Sequence, residues 1–322
     1  MHKLTACLLC LLCLLNVTGC KSSKVNNVQN DSPIKLGMLA IEDNLPFFIA
    51  EYDGLFAKLG LKVELIPFNS ARERDIALEA GEIQGELADL VAVALIKKGG
   101  TNVKVVSLGL GVTPQEGRFV IMVASGSGIT KPSQLVNLPI AVSQHTIIHY
   151  LAEEMLKEKG ILPSSIKLQN IPDLKVRLEA LLSGTDVKAA LLPDPLAALA
   201  ESSGAKAIID DTTLSVNLSQ TVILFREETI HQRGTEVRKI LQAYQDAAIS
   251  LNDNQQKYQD LIIKKARIPK PLENSYQPPY FSRLTLPTQG MVTKVITWMV
   301  NKGLLDKPYT YEEIVAPGYL EP

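Results

Sequence analysis

The chain has 322 residues, of which 46% are hydrophobic and 21% charged, and its formal net charge is −1 at pH 7. That length is enough for two lobes or domains held by their own apolar core. A near-neutral balance gives no electrostatic basis for binding nucleic acid, so that class of partner is excluded.

An apolar run of about a dozen residues begins at Leu4 behind a lone Lys3 and closes on Val17-Thr18-Gly19-Cys20. It suits the hydrophobic region of an export signal and is too short for a bilayer span, which needs ~20 apolar residues. Small residues ahead of a cysteine resemble a bacterial lipobox, in which Cys20 is lipidated on its thiol and becomes the mature N-terminus. The alternative is an ordinary secretory signal with an incidental cysteine, but no A-x-A-type site lies nearby. Residues 1–19 are therefore expected to be a lipoprotein signal peptide. Cys7, Cys10 and Cys13 fall inside it, which leaves the mature chain no thiol for a disulfide, a zinc site or a nucleophile. Residues 20–33, Cys20 followed by KSSKVNNVQNDSP, are polar and aperiodic and read as a flexible tether. No later stretch reaches membrane-spanning length, so the lipid is expected to be the only anchor, on the extracytoplasmic face of the cell membrane.

Ile34–Ala40 reads as a buried strand and Lys62–Phe68 as the next. Between them Asn44 is placed to cap a helix with Pro46 in its first turn, carrying Phe47, Phe48, Ala50, Leu55 and Phe56 and stopped by Gly60. Strand, helix and strand joined by short connections predict a right-handed parallel unit. Arg72–Ala80 gives a helix ended by Gly81, and Val103–Leu110 a strand. The pattern then restarts with a strand at Phe119–Ala124, a turn-rich SGSG, a capped turn at 131–135 and a strand at Pro139–Val142. A helix from Ile147 puts Ile148, Leu151, Ala152 and Met155 on one face and Glu153, Glu154, Lys157 and Glu158 on the other, with Gly160 at its end. Ile166–Ile171, a helix over 173–182 and Val187–Leu192 form another β-α-β unit. Ala207–Ile209 and Thr221–Phe225 add strands, and the rest is helical. Two α/β clusters with a helical tail predict two lobes and a cleft, with ligand contacts in loops beyond the strand ends.

Four segments resemble one family when taken in order: NLPFFIAEYDGLFAKLGLKVELIPF from Asn44, GEIQGELADLVAV from Gly81, LPDPLAALAESSGAKAIID from Leu192 and WMVNKGLL from Trp298. They are similar to the substrate-binding proteins of ABC importers for nitrate, sulfonates, taurine and thiamine-related pyrimidines. The resemblance implies an α/β, two-lobed periplasmic-binding-protein type II fold, each lobe a mixed sheet flanked by helices. It implies helix, crossover and Asp-containing loop over 81–93, and two hinge crossovers near Phe119–Val123 and Thr221–Phe225. The first lobe is then 34–118 plus 226–322, and the second is 119–225. The partners it implies are a small solute such as a pyrimidine, a sulfonate or nitrate, and ABC permease subunits. No cofactor is implied, and a monomer is expected. The chain departs from the family at Val187-Lys188-Ala189-Ala190, where members often carry an Asp.

Candidate ligand contacts are Glu42, Asn44, Asp89, Ser143, His145, Thr146 and Asp194. Glu42, Asp43 and Asn44 follow the first strand, although Asn44 can instead cap the helix and the acids can complement its positive end. Asp89 matches the family's cleft loop and equally suits a cap for the helix at Leu90. Ser143, Gln144, His145 and Thr146 precede a helix N-terminus whose free N–H groups favour an acceptor or anion, or serve only as caps. Asp194 lies between two rigid prolines and faces the cleft or caps the next helix. Arg118 reads as a partner of Glu116, Glu86 as a solvated side chain, His149 as structural, and Phe47 and Phe48 as core residues or ring-stacking surfaces. Carboxylates favour an amine-bearing ligand, whereas the 143–146 loop favours an acceptor. A solute-binding lipoprotein for import is the leading reading. Ligand sensing without transport is one alternative. Catalysis of the kind found in a related pyrimidine-synthesising branch is the other, disfavoured by the cysteine-free mature chain.

Overall fold

The first predicted strand forms as β1 (Ile34–Met38) and lies in parallel between β2 (Val63–Pro67) and β3 (Gly85–Asp89). The structure, a computed structural model, describes residues 32–320. The expected signal peptide, Cys20 and the tether as far as Asp31 lie outside the described residues. β4 (Val103–Leu108) closes this sheet at its far edge, and β10 (Thr221–Arg226) runs antiparallel between β3 and β4, giving the order β2-β1-β3-β10-β4. The second sheet holds β5 (Phe119–Val123), β6 (Pro139–Val142), β7 (Lys167–Asn170), β8 (Ala189–Pro193) and β9 (Lys206–Asp210) in the order β7-β6-β8-β5-β9. There β5 is the antiparallel member, between β8 and β9. Each sheet is therefore mixed, and in each the antiparallel strand is the one by which the chain enters from the other lobe.

Helices cover both sheets: α1 (Leu45–Tyr52), α2 (Leu55–Lys58), α3 (Ala71–Glu79) and α4 (Leu90–Lys98) in the first lobe, and α5 (Ile147–Glu158), α6 (Leu174–Ser183) and α7 (Leu196–Ser202) in the second. The tail adds α8 (Glu227–Asp253), α9 (Gln259–Lys265), α10 (Gln289–Asn301) and α11 (Tyr311–Ile314). α1 packs against α8, where the Phe47 ring meets Tyr244 edge-on at 4.8 Å. Phe47 and Phe48 are thus buried core residues rather than stacking surfaces. Among the described residues no helix is long and apolar enough to cross a membrane.

Three sequence expectations are corrected. The helix expected to run through Phe56 to Gly60 breaks at Gly54, whose φ of +67° ends α1 and starts α2. The stretch Gly81–Val93, expected as helix, crossover and Asp loop, contains the central strand β3, because Gly85, Glu86 and Leu87 pair with β10. Thr221–Phe225, expected within the second lobe as a crossover, is fully paired in the first sheet, so the return crossing precedes Thr221.

α10 joins the lobes. It packs on α4 of the first lobe, while Trp298 and Lys302 reach α5 of the second. Trp298 Nε1 donates to Glu153 Oε2 at 2.8 Å, Lys302 Nζ donates to Glu153 Oε1 at 2.5 Å, and His149 Nε2 lies 3.2 Å from Oε1. Burial pushes the Glu153 carboxyl up, but these three partners overcome it and hold the group at about 2.

Candidate ligand-binding site

Between the two sets of strand ends lies a cavity of about 230 Å³. Its first-lobe wall comes from the loop after β1, the C-terminal ends of β3 and β4, and Arg74 on α3. Its second-lobe wall comes from Arg118 and Phe119 at the start of β5, Ile147 and Ile148 at the start of α5, and Pro193-Asp194 after β8. Ser219, Gln220 and Thr221 of the return crossing complete it. Ligands collect at such strand-end positions in open parallel sheets, because the loops of several strands converge there.

The first-lobe wall is acidic. Glu42 sits in a single 3₁₀ turn, Glu42–Asn44, and is 5% exposed. Among the described residues its carboxylate has no hydrogen-bond donor. Burial, then Asp43 and Asp194, push its pKa well above the usual carboxylate range. Burial also lifts Asp43 to about 6, against the pull of its own backbone and Arg74, with Asp89 adding to the rise. Asp89 caps α4 by accepting from Val91 N at 2.8 Å and Ala92 N at 2.9 Å, and burial still raises it despite those bonds. Arg74 is buried beneath: Nη1 donates to Leu87 O at 2.6 Å and Nη2 to Asp75 Oδ1 at 2.7 Å, while Nε lies 3.3 Å from Glu86 Oε2. Glu86 is 1% exposed with neither oxygen well bonded, so burial keeps its pKa raised although Arg74 pulls it down. The expectation of a solvated Glu86 is therefore corrected.

The second-lobe wall is neutralised and largely apolar. Arg118 donates through Nε to Asp210 Oδ2 at 2.6 Å, through Nη1 to Asp194 Oδ1 at 3.3 Å, and through Nη2 to Glu201 Oε1 at 3.0 Å. Its partners are these three and not Glu116, which instead accepts from Gly111 N and Val112 N, each at 3.0 Å. Asp194 also accepts from Ala198 N at 3.1 Å, and burial raises its pKa against the pull of Arg118.

The cavity thus gathers Glu42, Asp89 and Asp194 of the sequence candidates. Asp89 plays both roles weighed for it, as cap and as wall. Asn44 is not in the wall: it makes no side-chain cap, its Nδ2 donates to Leu39 O at 3.2 Å, and its buried Oδ1 has no donor. Ser143, His145 and Thr146 also stand back from the cavity. Thr146 caps α5 through Ile148 N at 3.1 Å and donates to Ser143 O at 2.7 Å, and His145 is exposed with φ +64°. That tight turn brings Ile147 and Ile148, the first residues of α5, to the cavity, so the loop reaches it through the start of the helix and not through the three candidate side chains. Sequence reasoning missed Arg74, whose neighbours Arg72 and Glu73 are exposed and give no sign of its burial. It also missed Ser219-Gln220-Thr221, whose place depends on a long-range strand insertion.

A model of the NMT1-like family matches residues 28–263. A search of curated proteins finds no match. Among solved structures, the ligand-binding component of an ABC-type import system from Staphylococcus aureus, with zinc bound, is 21% identical over 89% of this chain and 97% of its own, with a TM-score of 0.73. The periplasmic aliphatic sulphonate-binding protein SsuA from Escherichia coli is 17% identical over 88% of this chain and 98% of its own, with a TM-score of 0.76. The desulfurization enzyme DSZB is 13% identical over 89% of this chain and 97% of its own, with a TM-score of 0.68. These likenesses establish the two-lobed periplasmic-binding-protein fold that the sequence resemblance implied, a fold shared by binders and an enzyme.

Proposed function

The chain belongs to the NMT1-like family, and from that membership and the interlobe cavity we propose that it is a solute-binding protein that delivers a small organic molecule to an ABC importer. The observation that carries the reading is the cavity itself, walled by strand-end residues of both lobes, with Glu42 and Asp89 on one side and Phe119, Ile147 and Asp194 on the other. A solute held there bridges two bodies joined by two chain crossings and the α10 contact, the arrangement from which hinge closure follows. The ABC-import and sulphonate-binding relatives support the same role.

Binding without catalysis is the favoured form of this reading. The cavity wall carries no cysteine, histidine or lysine, and neither of its hydroxyls, Ser219 and Thr221, donates to a base in the wall. A nucleophile needs an adjacent base to be activated. The likeness to a desulfurization enzyme therefore reflects shared fold. Lipid attachment at Cys20 completes the proposal, holding the two-lobed body at the outer face of the membrane beside its permease.

Small-angle scattering across a solute panel tests the binding role. Contraction of the radius of gyration with one solute, together with a raised melting temperature, is the expected result. No contraction and no thermal shift with any member of the panel would reject it. Palmitate labelling tests the anchor, since Cys20→Ser should abolish incorporation.

A further inference from the structure

The geometry points to a solute with a cationic nitrogen, held between Glu42 of the first lobe and Asp194 of the second, and a compact apolar body against Phe119, Ile147 and Ile148. This inference rests on the solute-binding reading above and specifies the chemical class of the ligand. Its first support is Glu42: a side chain 5% exposed, facing the cavity, with no donor among the described residues. Its oxygens are not among the fully enclosed unpaired atoms, so they keep contact with the cavity and are open to a ligand that donates to them.

The second support is the state of the two arginines, the only basic side chains in the wall. Every guanidinium nitrogen is already engaged. Arg74 gives Nε and Nη2 to Asp75 Oδ1 and Nη1 to Leu87 O. Arg118 gives its nitrogens to Asp210, Asp194 and Glu201. An anionic solute would find no free cation, whereas Glu42 has no partner among the described residues, and Asp89 and Asp194 each use one oxygen, Oδ1, for their bonds to Val91 N and Ala92 N and to Arg118 and Ala198 N. A bare metal ion does not fit, because no group of three ligating side chains is close enough among the described residues and much of the remaining wall is apolar.

One competing chemistry uses the same residues: a protonated Glu42 donating to a sulfonate or carboxylate. The two differ in the sign of their pH dependence. The groups facing Glu42 are Asp43 on its own turn, Asp89 at the start of α4, Arg74 on α3 with Glu86 on β3 behind it, and Arg118 with Asp194 from the second lobe. As pH rises the acids ionise and the arginines do not change. A cation then binds more tightly and an acid-to-anion hydrogen bond is lost.

The test uses two probe sets on the same ring, benzylammonium with phenethylammonium against phenylmethanesulfonate with benzoate, read by calorimetry and thermal shift. The amines are expected to bind, with affinity rising between about pH 5.5 and 7.5. Glu42→Gln, checked for folding by circular dichroism, is expected to weaken them about tenfold or more. The inference is overturned if the anionic set binds and the amines do not, or if Glu42→Gln leaves amine affinity unchanged. Failure of both probe sets while another solute still contracts the radius of gyration also overturns it and leaves the solute-binding reading standing. Failure of every solute overturns both.

Discussion

The two lobes follow one plan down to a single side chain. In each, an N-capped helix enters the sheet side, with Ser70 capping α3 through Glu73 N and Asp173 capping α6 through Val176 N. Arg74 and Arg177 then occupy the same turn of those helices. Each reaches the carbonyl of the same position in the following strand: Arg74 Nη1 to Leu87 O at 2.6 Å, and Arg177 Nη1 to Leu191 O at 3.0 Å. The surroundings differ. Arg74 is flanked by the carboxylates of Asp75 and Glu86, whereas Arg177 is held by the carbonyls of Ile171, Pro172 and Leu191, with Ala190 in the place of Glu86. Accordingly Arg74 is raised, its carboxylates overcoming burial, while burial lowers Arg177 to about 10, against the pull of Asp173. The shared bond fastens helix to strand end. The acids are an addition peculiar to the lobe whose wall holds Glu42, Asp43 and Asp89.

Replacing the two arginines separates these roles. Arg74→Met strands Asp75 and Glu86 beside Asp89 and is expected to cost about 3–5 kcal/mol by urea denaturation. Arg177→Met keeps the stem packing and loses hydrogen bonds only to carbonyls, at about 2–3 kcal/mol. Adding Glu86→Gln to Arg74→Met should restore part of the loss. Equal costs for the two single variants, with no rescue, would mean that the acids near Arg74 add nothing to the common fastening.

How far the plan could be read from sequence follows from the range of the forces involved. Apolar runs such as Val103–Leu110 and the one-faced helix at Ile147 declare themselves locally, and they formed as β4, Val103–Leu108, and α5, Ile147–Glu158. β3 was hidden because GELAD carries two acids in five residues, and only pairing with β1 and β10 makes such a segment a central strand. The antiparallel place of β10 is set by contacts more than 100 residues distant, such as Thr221 against Leu110, which no local pattern encodes. At the site, Asp89 and Asp194 were legible because capping residues fall at strand ends. Arg74 and the apolar use of Ile147 and Ile148 were not, since both depend on which way a helix face turns in the assembled lobe.

A second comparison sets Asp89, the last residue of β3, against Asp194, the residue after the equivalent strand β8. Asp89 satisfies two N–H groups of α4, so Asp89→Ala is expected to cost about 1–2 kcal/mol of stability as well as affinity for the solute. Asp194→Ala removes one bond to Ala198 N, and Arg118 keeps Asp210 and Glu201. Its stability loss should stay near 1 kcal/mol or below, while affinity falls about five- to 150-fold. Parallel melting and binding measurements on both variants check this, and variants that melt lower yet bind normally would make the two aspartates structural.

The smallest effect expected is a gain. Glu42 and Asp43 have raised pKa values in the folded protein, Asp43 at about 6, so their favourable contribution is full below the unfolded carboxylate range and is lost as pH rises through the folded values. Glu153, at the α5–α10 contact, is depressed to about 2 and acts in the opposite sense: its contribution is present above about 4.5 and lost as pH falls toward 2. The unliganded protein should therefore melt highest between about pH 4 and 4.5, with the acidic arm set by the contact between the lobes and the neutral arm by the raised acids, Glu42, Asp43 and Glu86 of the first lobe and Asp211 of the second. Glu42→Gln removes one of the raised acids without emptying its place. It should stabilise the unliganded protein by about 1 kcal/mol at pH 7.5 and do nothing at pH 4. A melting curve in which Glu42→Gln leaves the neutral arm unchanged would show that Glu42 carries no uncompensated charge in the empty cavity, and would remove the contrast between an acidic first lobe and a neutralised second.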